Sequence, residues 1–582
     1  MISSHIQDLI RSEANRNRVR CEQPEDACET LREWMYQSMQ THVAGGELER
    51  GRQLLEGSAQ LGPFGSVDVG TNPDWTVNPI EDRNWLWRWH QWEFTRDYLK
   101  LWTIEGDEGA LRQLLGWVNG WLDAHLWGDS NLTMAWHDHA TALRLRNLFH
   151  IWAVLSENGD ADAEMMHTIE DAIGAHCAIL SVDQLYTEKT NHGFDQMYIL
   201  LSVSICCCIF EESAGWAKIA NARLQEEIKF AFTSDGVHVE NSPAYHQYML
   251  LRLIRSTVMF KALGIESEVP FDEIIGLGLD FLSWIVRPDG TLPLIGDTVQ
   301  TTISPLIDAS ISDAGKSSLI QFVESRGAGC STGINHRVFT DSGWAVIRHP
   351  GTDGAAFEES LHLVLKSGFK SIYHRQDDDT HLVLNAFGSE WLIDGGMYNY
   401  QENDPKRIFL RSSLSHNLVV LPSIPIHRNP ILGRDTSSVS DLSEDGVVRI
   451  RAVTEMYDGF RIQRSIEQMR ETEFIIQDQI EITNGNSQIP PGSHVRFHFP
   501  GHLNVVIEDS HSAMITREDG CRMSLRALQG IESITHHIGT VDGVIQSWRS
   551  IHYGIGEDTQ VLCFHLVDSD NMSRIQLSFE EV

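Results

Sequence analysis

The hydrophobic pattern of this 582-residue chain changes period once, and that change dictates a two-part fold. In the first part apolar residues recur every three or four positions, in Trp85–Trp102, Ala110–Leu122, Ala140–Leu155, Glu164–Leu180, Trp216–Ala231, Tyr245–Leu263 and Phe271–Ile285. That is the spacing of one helix face. From Arg337 onward apolar and polar residues alternate, as in Leu361–Leu365, Phe460–Ile466, Phe474–Ile482, Val495–Phe499 and Ile575–Phe579, with Gly and Asn turns between them. Many short strands at such spacing predict an antiparallel sandwich. Helices that follow one another without strands predict hairpins wound into a toroid, and no tight repeat marks a consensus solenoid. The reading is an α+β multidomain chain: a helical (α/α) domain over 1–325, a Gly, Ser and Cys-containing linker over 326–336, and a β-sandwich over 337–582.

Charge and composition exclude several functions. A net charge of −36 argues against nucleic acid, which needs a basic face. A polyanionic ligand would require a local basic cleft. No apolar run reaches the roughly 18 residues of a spanning helix, so no membrane role is expected. The start, Met1-Ile-Ser-Ser-His, has neither a basic nor an apolar leader region. The expectation is a cytoplasmic protein as written, periplasmic or secreted if a leader was removed. Nine cysteines without paired metal spacing read as reduced, with Cys206-Cys207-Cys208 as small buried hydrophobes.

Three polar clusters stand out. Thr190-Asn191-His192-Gly193 precedes an apolar helix expected over Met197–Phe210. His238-Val239-Glu240-Asn241-Ser242-Pro243-Ala244-Tyr245-His246 places Pro243 at a helix start, with Tyr245 in the first turn, where the helix dipole favours an ionised tyrosine. Ser371–Asn417 carries His374, Asp378 and His381, then two strands around Leu382, Leu384, Trp391 and Ile393 joined near Phe387-Gly388, then Asp394 and His416-Asn417. Side chains at the ends of adjacent strands can converge on one point of a rigid sheet.

These clusters, with Trp136-His137, Arg144 and Arg411-Ser-Ser-Leu-Ser-His416-Asn417, resemble the heparinase II/III superfamily of polysaccharide lyases, in the same order over roughly 80–580. The resemblance implies an incomplete (α/α) toroid followed by an antiparallel β-sandwich. It implies β-elimination on a uronate-containing polysaccharide, most simply a glycosaminoglycan (heparan sulfate, hyaluronan or chondroitin sulfate), with alginate second. Tyr245 is then acid and in some members also base, His192 a second base, Asn191 the group that neutralises the uronate carboxylate, and His374 a positive neighbour. Trp136, His137, Arg144, His246 and Arg411 are candidate substrate contacts.

The chemistry agrees with this assignment. A C5 proton becomes acidic only when the adjacent carboxylate is neutralised, and a tyrosine titrating near ~10 needs positive neighbours to act as a base. Many relatives read H-x-H-x-D where this chain has His374-Arg375-Gln376-Asp377-Asp378. Gln376 thus takes a metal-ligand position, with Asp394 and His416 as the other two. Such a set leans to manganese or calcium over zinc, beside a metal-free alternative in which Gln376 hydrogen-bonds to the same partners. No organic cofactor is expected.

Two rivals belong to other classes. A hydrolase on an (α/α) toroid would need paired carboxylates, with Glu240 and Asp378 as candidates. A non-catalytic carbohydrate-binding protein would bind without turnover.

Overall fold

The computed structural model describes residues 4–21, 46–128, 132–158, 162–303, 335–349, 359–427, 436–483, 485 and 488–580. Two compact units emerge, one of residues up to Ala231 with Arg255–Val269, the other of Phe232–Ile254 with Pro270 onward. Most of the expected linker, 326–334, lies outside the described residues, and His336 opens a strand. Among the described residues no helix is long and apolar enough to cross a membrane.

The first unit is helical. Its helices include Arg83–His90, Thr95–Glu105, Glu108–Trp121, Asp138–Asn158, Ala163–Ser181, Asn191–Cys206 and Ser213–Ala231. Carboxylates set several starts: Asp82 accepts from the N–H groups of Asn84 and Trp85, and Asp107 from those of Gly109 and Ala110. The helix expected over Trp85–Trp102 is two helices, because Trp92 takes a positive φ of 63° between them. Trp85, Trp89 and Trp92 are buried; Trp75 stacks on Trp89 at 4.6 Å, and Trp117 meets Trp89 edge-on at 5.5 Å. Each ring hidden this way contributes about 2–3 kcal/mol of burial, so these three belong to the core.

In the second unit the first half of the Pro243–Leu263 helix and the Phe271–Ile285 helix pack on a five-stranded antiparallel sheet. Leu250, Phe281, Leu282 and Ile285 meet Trp344, Val346, Val364 and Val383. The sheet runs in the order His336–Phe339, Trp344–His349, Leu361–Lys366, His381–Ala386, Ser389–Leu392. Phe387 and Gly388 join its last two strands with φ of 52° and 71°, the paired positive values of a tight hairpin turn.

Among the described residues an eight-stranded and a four-stranded antiparallel sheet follow, with Phe474, Ile476, Phe497, Phe564, Leu525 and Leu577 in their common core. From Phe460 to Gln468 the Phe460–Arg470 strand alternates buried positions with more accessible ones, as period two demands. Asn417 ties two strands to the segment that follows a third: its amide donates to the carbonyls of Leu382 and Ile393 and its oxygen accepts from the His498 N–H. Buried Arg464 pairs bidentately with Asp478 and donates to the Asn417 carbonyl. The neighbouring His416 is therefore held on a stiff frame.

Candidate active-site residues

In the helical unit the helix begins at Asn191 rather than Met197, because Thr190 caps it by accepting the Gly193 N–H at 3.0 Å. Asn191 and His192 thus occupy its first turn. The loop before it is tied down by Glu227, which accepts the Lys189 N–H at 2.9 Å and the Tyr186 hydroxyl. Burial pushes Glu227 up to about 7, more than these donors lower it.

His192 Nδ1 lies 3.2 Å from Oδ2 of Asp138, the first residue of the Asp138–Asn158 helix. Asp138 also accepts from the Thr187 hydroxyl and the His139 N–H, and its Oδ1 lies 2.7 Å from His137 Nδ1. Burial acts to raise this carboxyl, but His137 and His192 outweigh it and hold Asp138 well below the usual carboxylate range. On its face His192 stacks on His139 at 4.4 Å, and His139 Nε2 is 2.9 Å from Asp195.

Two expected substrate contacts of this unit are internal instead. Arg144 is wholly buried. Its guanidinium donates to His176 Nε2, the His90 carbonyl and the Thr141 hydroxyl, and lies over the Trp121 ring at 3.9 Å and the Trp136 ring at 5.0 Å. Trp136 is buried too and donates to the His125 carbonyl. A cation sealed between two indoles presents no donor to a uronate in solvent, so both residues hold up the core. His137 stays half-buried beside Asp138.

In the second unit Tyr245 sits in the first turn of the Pro243–Leu263 helix, as its sequence position required. His374 lies flat against its ring, centroids 3.6 Å apart, and the Tyr245 hydroxyl meets the Tyr400 hydroxyl at 2.9 Å. His374 holds a positive φ of 56°, the kind of strain that persists only where the surroundings over-determine it. Asn241 supplies part of that restraint, donating to the carbonyls of Ser371 and Tyr373.

Asp297 supplies the rest. It lies 3.0 Å from His374 Nδ1, accepts two hydrogen bonds from Arg407 at 2.7 and 2.9 Å, and accepts from the Gln376 amide at 3.3 Å. Burial acts to raise the Asp297 carboxyl, but His374 and Arg407 prevail and hold it well below the usual range. Glu240 approaches His374 Nε2 at 3.5 Å from the other side. The dipole argument for an ionised tyrosine is overturned: burial, then Tyr400, Asp297 and Glu240, push Tyr245 well above its ordinary value. Low dielectric and anionic neighbours outweigh one helix terminus.

His246, expected as a substrate contact, is buried. Its Nδ1 accepts the His238 N–H and its Nε2 donates to the Gly278 carbonyl, while burial pushes it down to about 3, so it is a neutral structural residue. Arg411 pairs with the exposed Glu402 at 2.8 Å. Asp378 is fully buried against Lys366 at 2.8 Å, so the Glu240 and Asp378 pair that a hydrolase would need is not presented.

His381, Asp394 and His416 bring one ligand atom each within 4.8 Å of the others, all buried. His381 Nδ1 accepts the Asn417 N–H at 2.8 Å, which leaves its proton on Nε2, 2.8 Å from Asp394 Oδ2. His381 is therefore a donor to Asp394 and has no lone pair to give. Gln376 Oε1 and His416 Nδ1 are buried without a hydrogen-bond partner, orphaned atoms of the kind a cation would satisfy. His416 Nδ1 lies 3.3 Å from Asp394; burial lowers His416, but Asp394 overcomes this and raises it.

Sequence reasoning missed Asp138, Asp297, Tyr400 and Arg407. Asp138 carried a signal, since it adjoins His137 in a run of alternating titratable residues. Asp297 lies outside the motifs, Tyr400 and Arg407 fall between the singled-out residues of Ser371–Asn417, and the fold brings the three together.

Helices in one unit, antiparallel sheets in the other and a Tyr-His-Asp cluster at a helix start define a protein of the toroid-plus-sandwich class. Residues 50–314 match the heparinase II/III N-terminus model and residues 332–572 the heparinase II/III-like C-terminal model. The chain belongs to the heparinase II/III-like family.

It is 23% identical to a heparin-sulfate lyase of Bacteroides stercoris over 71% of this chain and 65% of that protein. It is 20% identical to a heparin-sulfate lyase of Pedobacter heparinus over 59% and 52%. The alignments thus take in less than two thirds of either relative. A crystal structure of heparinase III superposes with a TM-score of 0.69 at 15% identity, covering 99% of this chain and 89% of the other. One of a heparan sulfate lyase mutant from Pedobacter heparinus gives 0.67 at 16%, covering 99% and 88%. The fold is thus an incomplete (α/α) toroid followed by an antiparallel β-sandwich.

Proposed function

We propose that this chain is a polysaccharide lyase that cleaves uronate-containing glycosaminoglycan by β-elimination, heparan sulfate before hyaluronan or chondroitin sulfate, and alginate after these. The observation that carries the reading is Tyr245, a phenol kept protonated and clamped between the Tyr400 hydroxyl and the His374 ring. A held proton suits the acid that a C4 leaving oxygen requires. The names of the curated relatives support heparan sulfate as the first substrate. The net charge of −36 favours short or lightly sulfated stretches.

In the elimination a base takes the C5 proton, the electron pair forms the 4,5 double bond, the C4–O bond breaks, and the departing oxygen takes a proton. Asn191 neutralises the uronate carboxylate from its place in the first helical turn. His192 is the base for the epimer whose C5 proton lies opposite the leaving oxygen; where both lie on one face, Tyr245 must first give up its proton before it can take the C5 proton and return it to the leaving oxygen. His374, fixed by Asp297, sets the position of the phenol. His137 remains a candidate substrate contact, half-buried beside Asp138, and Arg411 a second, at the end of the Pro405–Arg411 helix.

Gln376, Asp394 and His416 would hold one divalent metal, manganese or calcium before zinc given two oxygen donors, supplying a fixed positive charge beside buried Asp394.

Ultraviolet absorbance of unsaturated uronate, followed on heparan sulfate, hyaluronan, chondroitin sulfate and alginate, tests the reading. Wild-type protein should raise it and Tyr245→Phe should not. Reducing ends without absorbance would make the enzyme a hydrolase. Binding without turnover would make it a carbohydrate-binding protein.

A further inference from the structure

We infer that Asp138 is a positioning residue that fixes the tautomer and plane of His192. The inference rests on the lyase reading only for the word base; the geometry stands by itself.

An ionised carboxylate only accepts hydrogen bonds. Asp138 faces donors alone: the His139 N–H at 2.7 Å and the Thr187 hydroxyl, with Nδ1 of His137 at 2.7 Å and Nδ1 of His192 at 3.2 Å. His192 must therefore carry its proton on Nδ1 when neutral, which makes Nε2 the nitrogen with the lone pair. The ring cannot swing, because His139 stacks on its face at 4.4 Å and is itself anchored to Asp195 at 2.9 Å. Burial pushes His139 down to about 4, so the stacked neighbour is uncharged at neutral pH and does not repel a proton arriving on His192. His137 meets His192 edge-on at 5.6 Å. Two carboxylates, two flanking imidazoles and one hydroxyl thus hold one nitrogen in place, as a general base requires.

The rival account is that Asp138 merely starts its helix by accepting the His139 N–H. Asp138→Asn separates the two, since asparagine serves a helix start equally well but removes the charge and the obligatory acceptor. Site-resolved carbethoxylation with diethyl pyrocarbonate, read by mass spectrometry across pH 5 to 8, reports the unprotonated fraction of His192 without any turnover; His192→Ala identifies the peptide. Losing the adjacent anion should move the His192 midpoint down by about one pH unit. On a substrate whose C5 proton lies opposite the leaving oxygen, where His192 is the base, kcat should fall about 100-fold or more with KM within about 3-fold, and Asp138→Glu should recover part of it. A midpoint unmoved within about 0.2 units would leave Asp138 a helix-start residue and overturn the inference. Absence of unsaturated product from wild type on every polymer would instead sink the lyase reading, while the labelling still decides the role of Asp138.

Discussion

Removing the charge of Asp297 is the sharpest perturbation this structure offers. Its carboxylate is buried and engages two Arg407 hydrogen bonds at 2.7 and 2.9 Å, His374 Nδ1 at 3.0 Å and the Gln376 amide at 3.3 Å. Asp297→Asn keeps the volume but strands the buried Arg407 cation, which costs about 3–5 kcal/mol. Because the Asp297 carboxyl is held below its unfolded value, the stabilisation it contributes is present above the ordinary carboxylate pKa and is lost only as pH falls through the depressed one. The gap between wild type and variant should therefore stay constant from about pH 5 to 8 and close in acid. Urea unfolding followed by far-ultraviolet circular dichroism measures it.

Adding Arg407→Met removes the stranded cation, so the double variant should return to within about 1 kcal/mol of wild type. Turnover should not return, because His374 still lacks its anionic anchor, and both variants should remain at least about 10-fold below wild type. A single variant within about 1 kcal/mol of wild type would refute the buried-pair argument. A double variant with full turnover would refute the claim that Asp297 holds His374 for catalysis.

Burial raises Glu227 from 4.5 to about 7, so it binds its proton more tightly folded than unfolded, and stability is lost as pH rises between those values. Glu227→Gln, which keeps the acceptor for Tyr186 and Lys189, should gain up to about 3 kcal/mol at pH 8 and nothing near pH 4.5; thermal melts at the two pH values check this. Gly296 has φ of 62°, and a Cβ there would sit 2.5 Å from the Asn241 carbonyl, so Gly296→Ala should cost about 2 kcal/mol or more in urea unfolding and loosen the segment that Asn241 holds. Elemental analysis of dialysed protein should find about one divalent metal per chain, lost in Asp394→Asn, with Gln376→His shifting preference toward zinc; equal metal content in Asp394→Asn would rule the site out.

Much of the fold is written in periodicity, since burying one face of a helix or a strand requires a local pattern that any reader of the chain can count. The helix and strand segments of both halves, the Phe387-Gly388 turn and the Tyr245 helix start were legible for that reason. So were Asn191, His192, His374, Asp394 and His416, which sit in compact motifs.

The charges and partners were not legible, because they depend on distances between residues far apart in sequence. Tyr245 read alone, at a helix start, favoured a phenolate; only the folded arrangement of Tyr400, Asp297 and Glu240 around it decided for the protonated form. Arg144 read alone could grip a carboxylate; only its enclosure by Trp121 and Trp136 made it part of the core. Gln376 was read as a metal ligand from its place in a motif; that His381, Asp394 and His416 lie within 4.8 Å of one another, with the Asn417 N–H fixing the His381 proton, follows from the fold. Local sequence determines which groups lie on which element, whereas protonation and partnership follow from dielectric and geometry, which exist only once the chain has closed on itself.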